Sequence, residues 1–286
     1  MTKPAKNTPK ELPMIGLLTD FGIEDAYVGI MKSVILTVCP TIPVIDLCHS
    51  IAAQNVLSGA YILNTTAPYL PHGSIVVAVV DPGVGTNRRA IAVRTENCVL
   101  VGPDNGIFSL ILKHQHPIEA VNLDNPDFHL KPVSPTFHGR DIFSPVGAHL
   151  ACGAKFKDVG THIELESLIH LSGSDACFYR HDIEAHVLHI DRFGNVVTNL
   201  TKRSYEKWGG DPEHAVIEFQ EYPPVRVYRT FADVPLYSPL AFWGSGGHLE
   251  IAVRDSNAAA HYGLAQASSI IVRPGLPQET YPNEPR

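Results

Sequence analysis

Long apolar runs are missing from this chain of 286 residues. None approaches the roughly 18 consecutive apolar residues that a membrane span requires, so a transmembrane helix is excluded. The first thirteen residues, MTKPAKNTPKELP, are polar and lack the apolar stretch of a secretory signal, which leads to the expectation of a cytoplasmic protein with a loose N-terminal tail. Positive charge is also scarce. Lys and Arg total 22 against 29 Asp and Glu, for a formal net charge of −7, and no basic run exceeds a pair. That balance speaks against nucleic acid or an anionic membrane surface as partner and leaves room for a small cationic or zwitterionic molecule. Cysteines number five, far apart and without a C-x-x-C pair. Neither a disulfide framework nor a zinc knuckle is indicated, and reduced, mostly buried thiols are expected.

Common cofactor signatures are absent as well. Gly83-Val84-Gly85 lacks the third glycine of a dinucleotide fingerprint, and no G-x-x-x-x-G-K-[ST] loop occurs. Asp20-Phe21-Gly22 copies the kinase metal-binding triplet without a Gly-rich loop or H-R-D element. The 15 histidines include no H-x-x-x-H or H-E-x-x-H; His186 and His189, an odd number apart, would face opposite sides of a strand. The expectation is an enzyme with no metal and no cofactor.

What is present is a hydrophobic content of 44%, enough for two domains. Met14–Leu18, Val44–Leu47 and the β-branched run Ser74–Val80 read as strands. Asp25–Val38, with apolar residues every four positions before Pro40, and Gln54–Leu63 read as helices. Strands alternating with helices predict an α/β domain with a largely parallel sheet over residues 14–172, closed by a helix at Ser144–Leu150. Ligands of such sheets bind beyond the carboxyl ends of the strands, where Asp20 and Asp81 fall. From about 153 to 182 the pattern fades into a connection. Beyond it, short strand-like runs such as Ile183–Asp191 and Leu249–Val253 predict a smaller β-barrel-like domain over 180–275, with flexible tails at 1–13 and 276–286.

Four polar clusters stand out: Asp20 with Asp25, Asp81 with Arg88, His138 to Asp141, and Asp191 to Asn195. Each taken singly has an ordinary reading as turn chemistry or a surface ion pair. Read together, LLTDFG at 17–22, VDPGVGT at 80–86, VGPDNG at 101–106, FHGRDIFSPVGAHLA at 137–151, IDRFGNVVTN at 190–199 and LEIAVRDSNAA at 249–259 resemble one family. It is the S-adenosylmethionine hydroxide adenosyltransferases, adenosine-forming hydrolases related to fluorinase and chlorinase. The resemblance implies a homotrimer with sites between one subunit's N-terminal domain and its neighbour's C-terminal domain.

By the same resemblance, the water-activating Asp, Arg and His fall on Asp81, Arg88 and His138, with Arg89 competing for the arginine role. Halogenating relatives carry Tyr at position 81, so the acid here implies a hydrolase. Asp20 matches the residue on the ribose hydroxyls, and Asp25 and Asp191 match those near the methionine ammonium. Phe193, Asn195 and Ala258 match adenine contacts, and Ser245 a carboxylate contact. Trp243-Gly244-Ser245-Gly246-Gly247 departs from the family's more usual Asn-Ser at that point. The implied reaction yields adenosine and methionine; halide transfer and a non-catalytic sensor using the same pocket are its rivals.

Overall fold

A computed structural model describes residues 13–219 and 221–275, and the chain divides into two compact units, Met1–Leu171 and Ser172–Arg286. Apart from Pro13, the tails expected at 1–13 and 276–286 lie outside the described residues.

The first unit is built on β1 (Ile15–Thr19), β2 (Val44–Cys48), β3 (Ser74–Val79), β4 (Ala90–Thr95), β5 (Cys98–Pro103), β6 (Pro117–Asn122) and β7 (Thr161–Ile163), ordered β2-β1-β3-β5-β4-β6-β7. The first four in that order run parallel, and β4, β6 and β7 extend the sheet antiparallel. Alternation along the central strand sorts its side chains between two layers. Ile75, Val77 and Val79 join Met31, Ile35 and Val146 on one face, while Val76, Ala78 and Val80 join Leu63 and Ile107 on the other. The helices α1 (Tyr27–Val38) and α3 (Ser144–Ala151) thus cover one face, and α2 (Val56–Thr66) the other. Burial on both faces is why β3 reads as an unbroken apolar run rather than an alternating one. The strand β7 lies within the stretch taken as a connection; only three residues long and without a buried side chain, it has no periodicity to detect.

One expectation is corrected here. Cys39 and Cys152 are joined in a disulfide, S–S 2.13 Å, across a sequence separation of 113. They are the residues just past α1 and α3, which pack side by side, so helix packing rather than local spacing makes the pair. Of the remaining three, Cys98 is buried, Cys48 half-buried and Cys177 exposed.

The second unit contains β8 (Cys177–Phe178), β9 (Ile183–Ile190), β10 (Val196–Thr201), β11 (Ala215–Phe219), β12 (Tyr222–Arg226), β13 (Pro239–Trp243), β14 (His248–Val253) and β15 (Ser269–Pro274), with short helices α4 (Lys202–Trp208) and α5 (Ala258–Tyr262). Seven strands form an antiparallel path β12-β11-β15-β9-β10-β14-β13, and β8 pairs with β9 beside it. A bridge between Val227 and Ala241, with Tyr228 N donating to Ala241 O at 2.8 Å, brings the ends of the path together and makes the sheet barrel-like. Its interior holds Ile183, Ala185 and Val187 against Ile217, Ile251 and Val272. Strand β10 carries two buried polar residues, each satisfied: Thr198 Oγ1 donates to Leu249 O at 2.9 Å, and Asn199 Oδ1 accepts from His186 N at 2.8 Å. No helix among the described residues is long and apolar enough to cross a membrane.

Candidate active site

Strands β1 and β3 are neighbours with Thr19 opposite Val79, so Asp20 and Asp81 emerge side by side at the carboxyl edge of the parallel sheet, where crevices form. The turn carrying Asp20 is held by a hydrogen-bond chain. Asp46 accepts from Lys32 Nζ at 2.7 Å and, through Oδ1, from His49 Nε2 at 3.0 Å. A carboxylate in an ion pair only accepts, so Nε2 is the donor to it, and His49 Nδ1 meets the Thr19 hydroxyl at 2.8 Å. Thr19 Oγ1 in turn accepts from Phe21 N at 3.2 Å. Asp20 itself accepts from Gln54 N at 2.7 Å.

The loop from Asp81 to Arg88 folds back through Gly85, whose φ is +77°. A Cβ there would lie 2.7 Å from the carbonyl oxygen of Pro135, so only glycine lets this loop meet the segment that leads to His138. The three residues predicted to act on water consequently meet. Arg88 Nε donates to both Asp81 oxygens at 3.0 Å, its Nη2 donates to Asp81 Oδ2, and Nη2 also donates to His138 Nδ1 at 2.8 Å. The paired side chains are 9% and 4% exposed, so solvent screens them little. Beneath the guanidinium lies Phe143, its ring centroid 5.3 Å from Arg88 Cζ. Phe143 ends a π-helical turn, Gly139–Phe143, that begins next to His138.

This contact fixes the state of His138. A guanidinium has no lone pair to offer, so Nδ1 must accept and the neutral ring carries its proton on Nε2. Burial, and then the positive charge of Arg88, hold its pKa below the ordinary 6.5. Arg89 is placed differently. It donates to Asp104 Oδ2 through Nε at 2.8 Å and reaches Ser167 Oγ at 2.9 Å. Two adjacent residues entering β4 face opposite sides, and it is Arg88 that the strand presents to Asp81.

Asp20, Asp81 and His138 line one cavity of roughly 260 Å³, with Phe21, Gln54 and Phe137 among its walls. Asp25 is exposed on the turn before α1 and is not among the lining residues.

The other predicted residues lie in the second unit. Asp191 shapes the loop between β9 and β10: Oδ1 accepts from Phe193 N at 2.8 Å and Asn195 N at 2.9 Å, and Oδ2 from Asn195 Nδ2 at 2.8 Å. Phe193 is left 76% exposed, an aromatic ring with no ring partner among the described residues. Asp191, Phe193, Asn195 and Ser245 line a cavity of roughly 560 Å³. Ala258, the first residue of α5, is wholly buried and does not line it. The same cavity adds residues that the sequence reading missed, Phe231, Phe242 and Glu250. The one signal for Glu250 was its place as the sole charge within the apolar run Leu249–Val253. Among the described residues no three His, Cys, Asp or Glu side chains are grouped to hold a metal ion.

Comparison with known proteins places these cavities in a family context. Residues 15–160 match the SAM hydroxide adenosyltransferase N-terminal domain, and residues 185–271 match its C-terminal domain. The chain belongs to this family. The (R)-S-adenosyl-L-methionine hydrolase of Thermus thermophilus is 38% identical over 263 residues, covering 88% of this chain and 96% of that protein. A crystal structure of an uncharacterized conserved protein from Thermotoga maritima superposes with a TM-score of 0.84 at 32% identity, covering 91% of this chain and all of that one. More distant is the fluorinase of Nocardia brasiliensis, 26% identical, covering 92% of this chain and 97% of its own. The family assignment spans both units, so each of the two cavities lies within a matched domain.

Proposed function

We propose that the protein hydrolyses S-adenosyl-L-methionine to adenosine and L-methionine, and that Asp81, Arg88 and His138 activate the water. The observation that carries this is the contact of Arg88 with both Asp81 and His138 at the cavity edge. Attack at the ribose 5′ carbon forms a C–O bond and breaks the C–S bond of a sulfonium, whose electron pair stays on sulfur. The leaving group is a neutral thioether and needs no proton. Only the nucleophile needs help, since water has a pKa of about 15.7. Arg88 and the Nε2–H of His138 are donors for hydroxide-like charge, preorganised at no cost during reaction. Asp81 orients the water by accepting a hydrogen bond from it, and the proton released as the C–O bond forms passes to Asp81 or to bulk solvent. In this reading the charge is stabilised by side chains, without metal or cofactor.

Asp20 takes the ribose hydroxyls, and Asp25 and Asp191 lie near the substrate ammonium. Phe193, Asn195 and the backbone at Ala258 hold adenine, and Ser245 the carboxylate. The chain works in the cytoplasm as a homotrimer in which a neighbour's second unit completes each site.

The direct test follows adenosine by chromatography after incubation with substrate, supplying both sulfonium epimers because the Thermus relative's name specifies the (R) form. No adenosine above a heat-killed control sinks the hydrolase reading. A 5′-halo-adenosine formed on adding chloride or fluoride would replace it with halide transfer, and tight binding of intact substrate would replace it with a sensor.

Assembly is tested by mixing His138→Ala and Asn195→Ala chains after dissociation. Hybrid oligomers are expected to regain activity through sites carrying neither change; verified hybrids that stay inactive would place the site within one subunit.

The state of His138 predicts a pH limb. Because its pKa is lowered, the neutral ring that accepts from Arg88 persists down to pH values below 6.5. Further acidification protonates Nδ1 and sets two cations against each other. At saturating substrate, kcat is expected to hold across neutral pH and fall with a midpoint below about 6.5, the unperturbed histidine value. The limb is expected to vanish in His138→Ala; a midpoint above that value would contradict the assignment.

A further inference from the structure

The Asp191 cavity holds a second carboxylate with a different status. Three hydrogen bonds from its own loop occupy the Asp191 carboxylate, which leaves about one of its four acceptor directions open. Glu250 lies on β14 between Phe242 of β13 and Val197 of β10, and its carboxylate makes no hydrogen bond or ion pair among the described residues. Its seat is made by the glycine-rich departure from the family pattern. A Cβ at Gly244 would overlap Glu250 Oε1, so the side chain lies flat across a residue that has none.

We propose that Glu250 binds the substrate's ammonium group in this cavity alongside Asp191, and that it sets the preference for ligands bearing the amino-acid moiety over those that carry the nucleoside alone. The inference rests on the S-adenosylmethionine reading above and adds to it a residue and a specificity.

The electrostatics support the geometry. Burial, and then the charge of Asp191, push the Glu250 carboxyl up to about 7. The other ionisable groups around it do not offset this. Asp255 lines the same cavity, and no Lys, Arg or His does. His189 senses Asp191, and burial lowers its pKa. His248, two residues along β14, is buried with Nδ1 against Thr198 O at 2.8 Å. A bound ammonium favours the ionised carboxyl, so at pH 7 about half of the free sites must release a proton on binding. Below that pH the proton competes with the ligand, and above it the competition ends.

The test is titration calorimetry of the full chain, wild type and Glu250→Gln, with two ligands that cannot lose a sulfonium leaving group. S-adenosylhomocysteine keeps the ammonium; 5′-methylthioadenosine lacks it. In buffers of different ionisation enthalpy at pH 7, wild type is expected to release about half a proton per site with the first ligand and none with the second. Its affinity for the first is expected to fall by up to about tenfold per pH unit below 7. Glu250→Gln, nearly isosteric, is expected to abolish the proton release and weaken S-adenosylhomocysteine about tenfold or more, with methylthioadenosine within twofold. Gly244→Ala, which keeps the charge but fills the seat, is expected to reproduce that selective loss.

Equal weakening of both ligands, or unchanged proton release in Glu250→Gln, would overturn the proposal. Wild-type affinity for S-adenosylhomocysteine in Gly244→Ala would overturn the seat. If wild type neither hydrolyses S-adenosylmethionine nor binds S-adenosylhomocysteine, the functional reading itself has failed and this inference falls with it. If wild type does both and Glu250→Gln behaves identically, the inference alone falls.

Discussion

Replacing Arg88 by alanine is expected to lower kcat by about 10² to 10³, the usual cost of removing one donor from developing oxyanion charge, while leaving substrate affinity within a few-fold. The asymmetry follows from when the interaction acts. Positive charge near the water gains most as the water becomes hydroxide-like, so its loss raises the barrier without weakening the ground-state complex. Arg88 also holds Asp81 and His138 in place, so the effects of Asp81→Ala, Arg88→Ala and His138→Ala should be far from additive: the triple variant should be little worse than the single one. Asp20→Ala is expected to differ by weakening binding as well as rate, because ribose contacts exist in both states. Arg89→Ala provides the control. It should cost stability through Asp104 and Ser167 and change kcat little in the folded fraction. Steady-state kinetics with calorimetric binding would check all six variants, and a near-normal kcat in folded Arg88→Ala would remove the arginine from the chemistry.

Phe143→Ala is expected to be the most damaging of the simple truncations. The side chain is fully buried in the core formed with Val77, Met31 and Val146, and emptying such a position costs about 3–5 kcal/mol, a large part of the 5–15 kcal/mol that holds a typical domain together. The loss should appear as a lower urea midpoint with an unchanged slope. Because the ring also underlies Arg88, kcat should fall in the protein that remains folded. Phe143→Leu, which keeps most of the volume, should recover the larger part of the stability but not the cation–ring contact. Wild-type kcat in folded Phe143→Leu would mean that the ring serves packing alone.

The legible parts of this molecule are those in which one segment carries its own signal. Ser74–Val79 reads as a central strand because both its faces are buried, and α1 reads from Ala26, Ile30, Val34 and Val38 at four-residue spacing, although the side chains it buries are Val28, Met31 and Ile35 and Ile30 is exposed. Asp20 and Asp81 are recognisable as strand-end acids for the same reason. Their adjacency is not local, since 54 residues separate β1 from β3 and only the pairing of the two strands shows that they share an edge. Pairing likewise decides between Arg88 and Arg89, which no composition or spacing separates. The Cys39–Cys152 bond was missed because two helices bring together residues 113 apart. Strand β10 was obscured by Thr198 and Asn199, polar residues whose buried partners lie on other strands. Glu250 needed Gly244 and Asp191, neither adjacent in sequence, before it became more than a stray charge.

The opposed directions of Arg88 and Arg89 carry a consequence for change in this loop. Arg88 lies seven positions after Asp81, and lengthening the stretch before Arg88 would alter only how far the backbone must travel. Shifting β4 by a single residue against β5 would alter parity instead. Arg89 would then be offered to Asp81 and Arg88 to Asp104, and the two guanidiniums would exchange jobs without any change in composition. The first strand pairing after the two arginines, Ala90 opposite Pro103, is therefore what tells two identical side chains apart, and insertions on its two sides should differ sharply in whether activity survives.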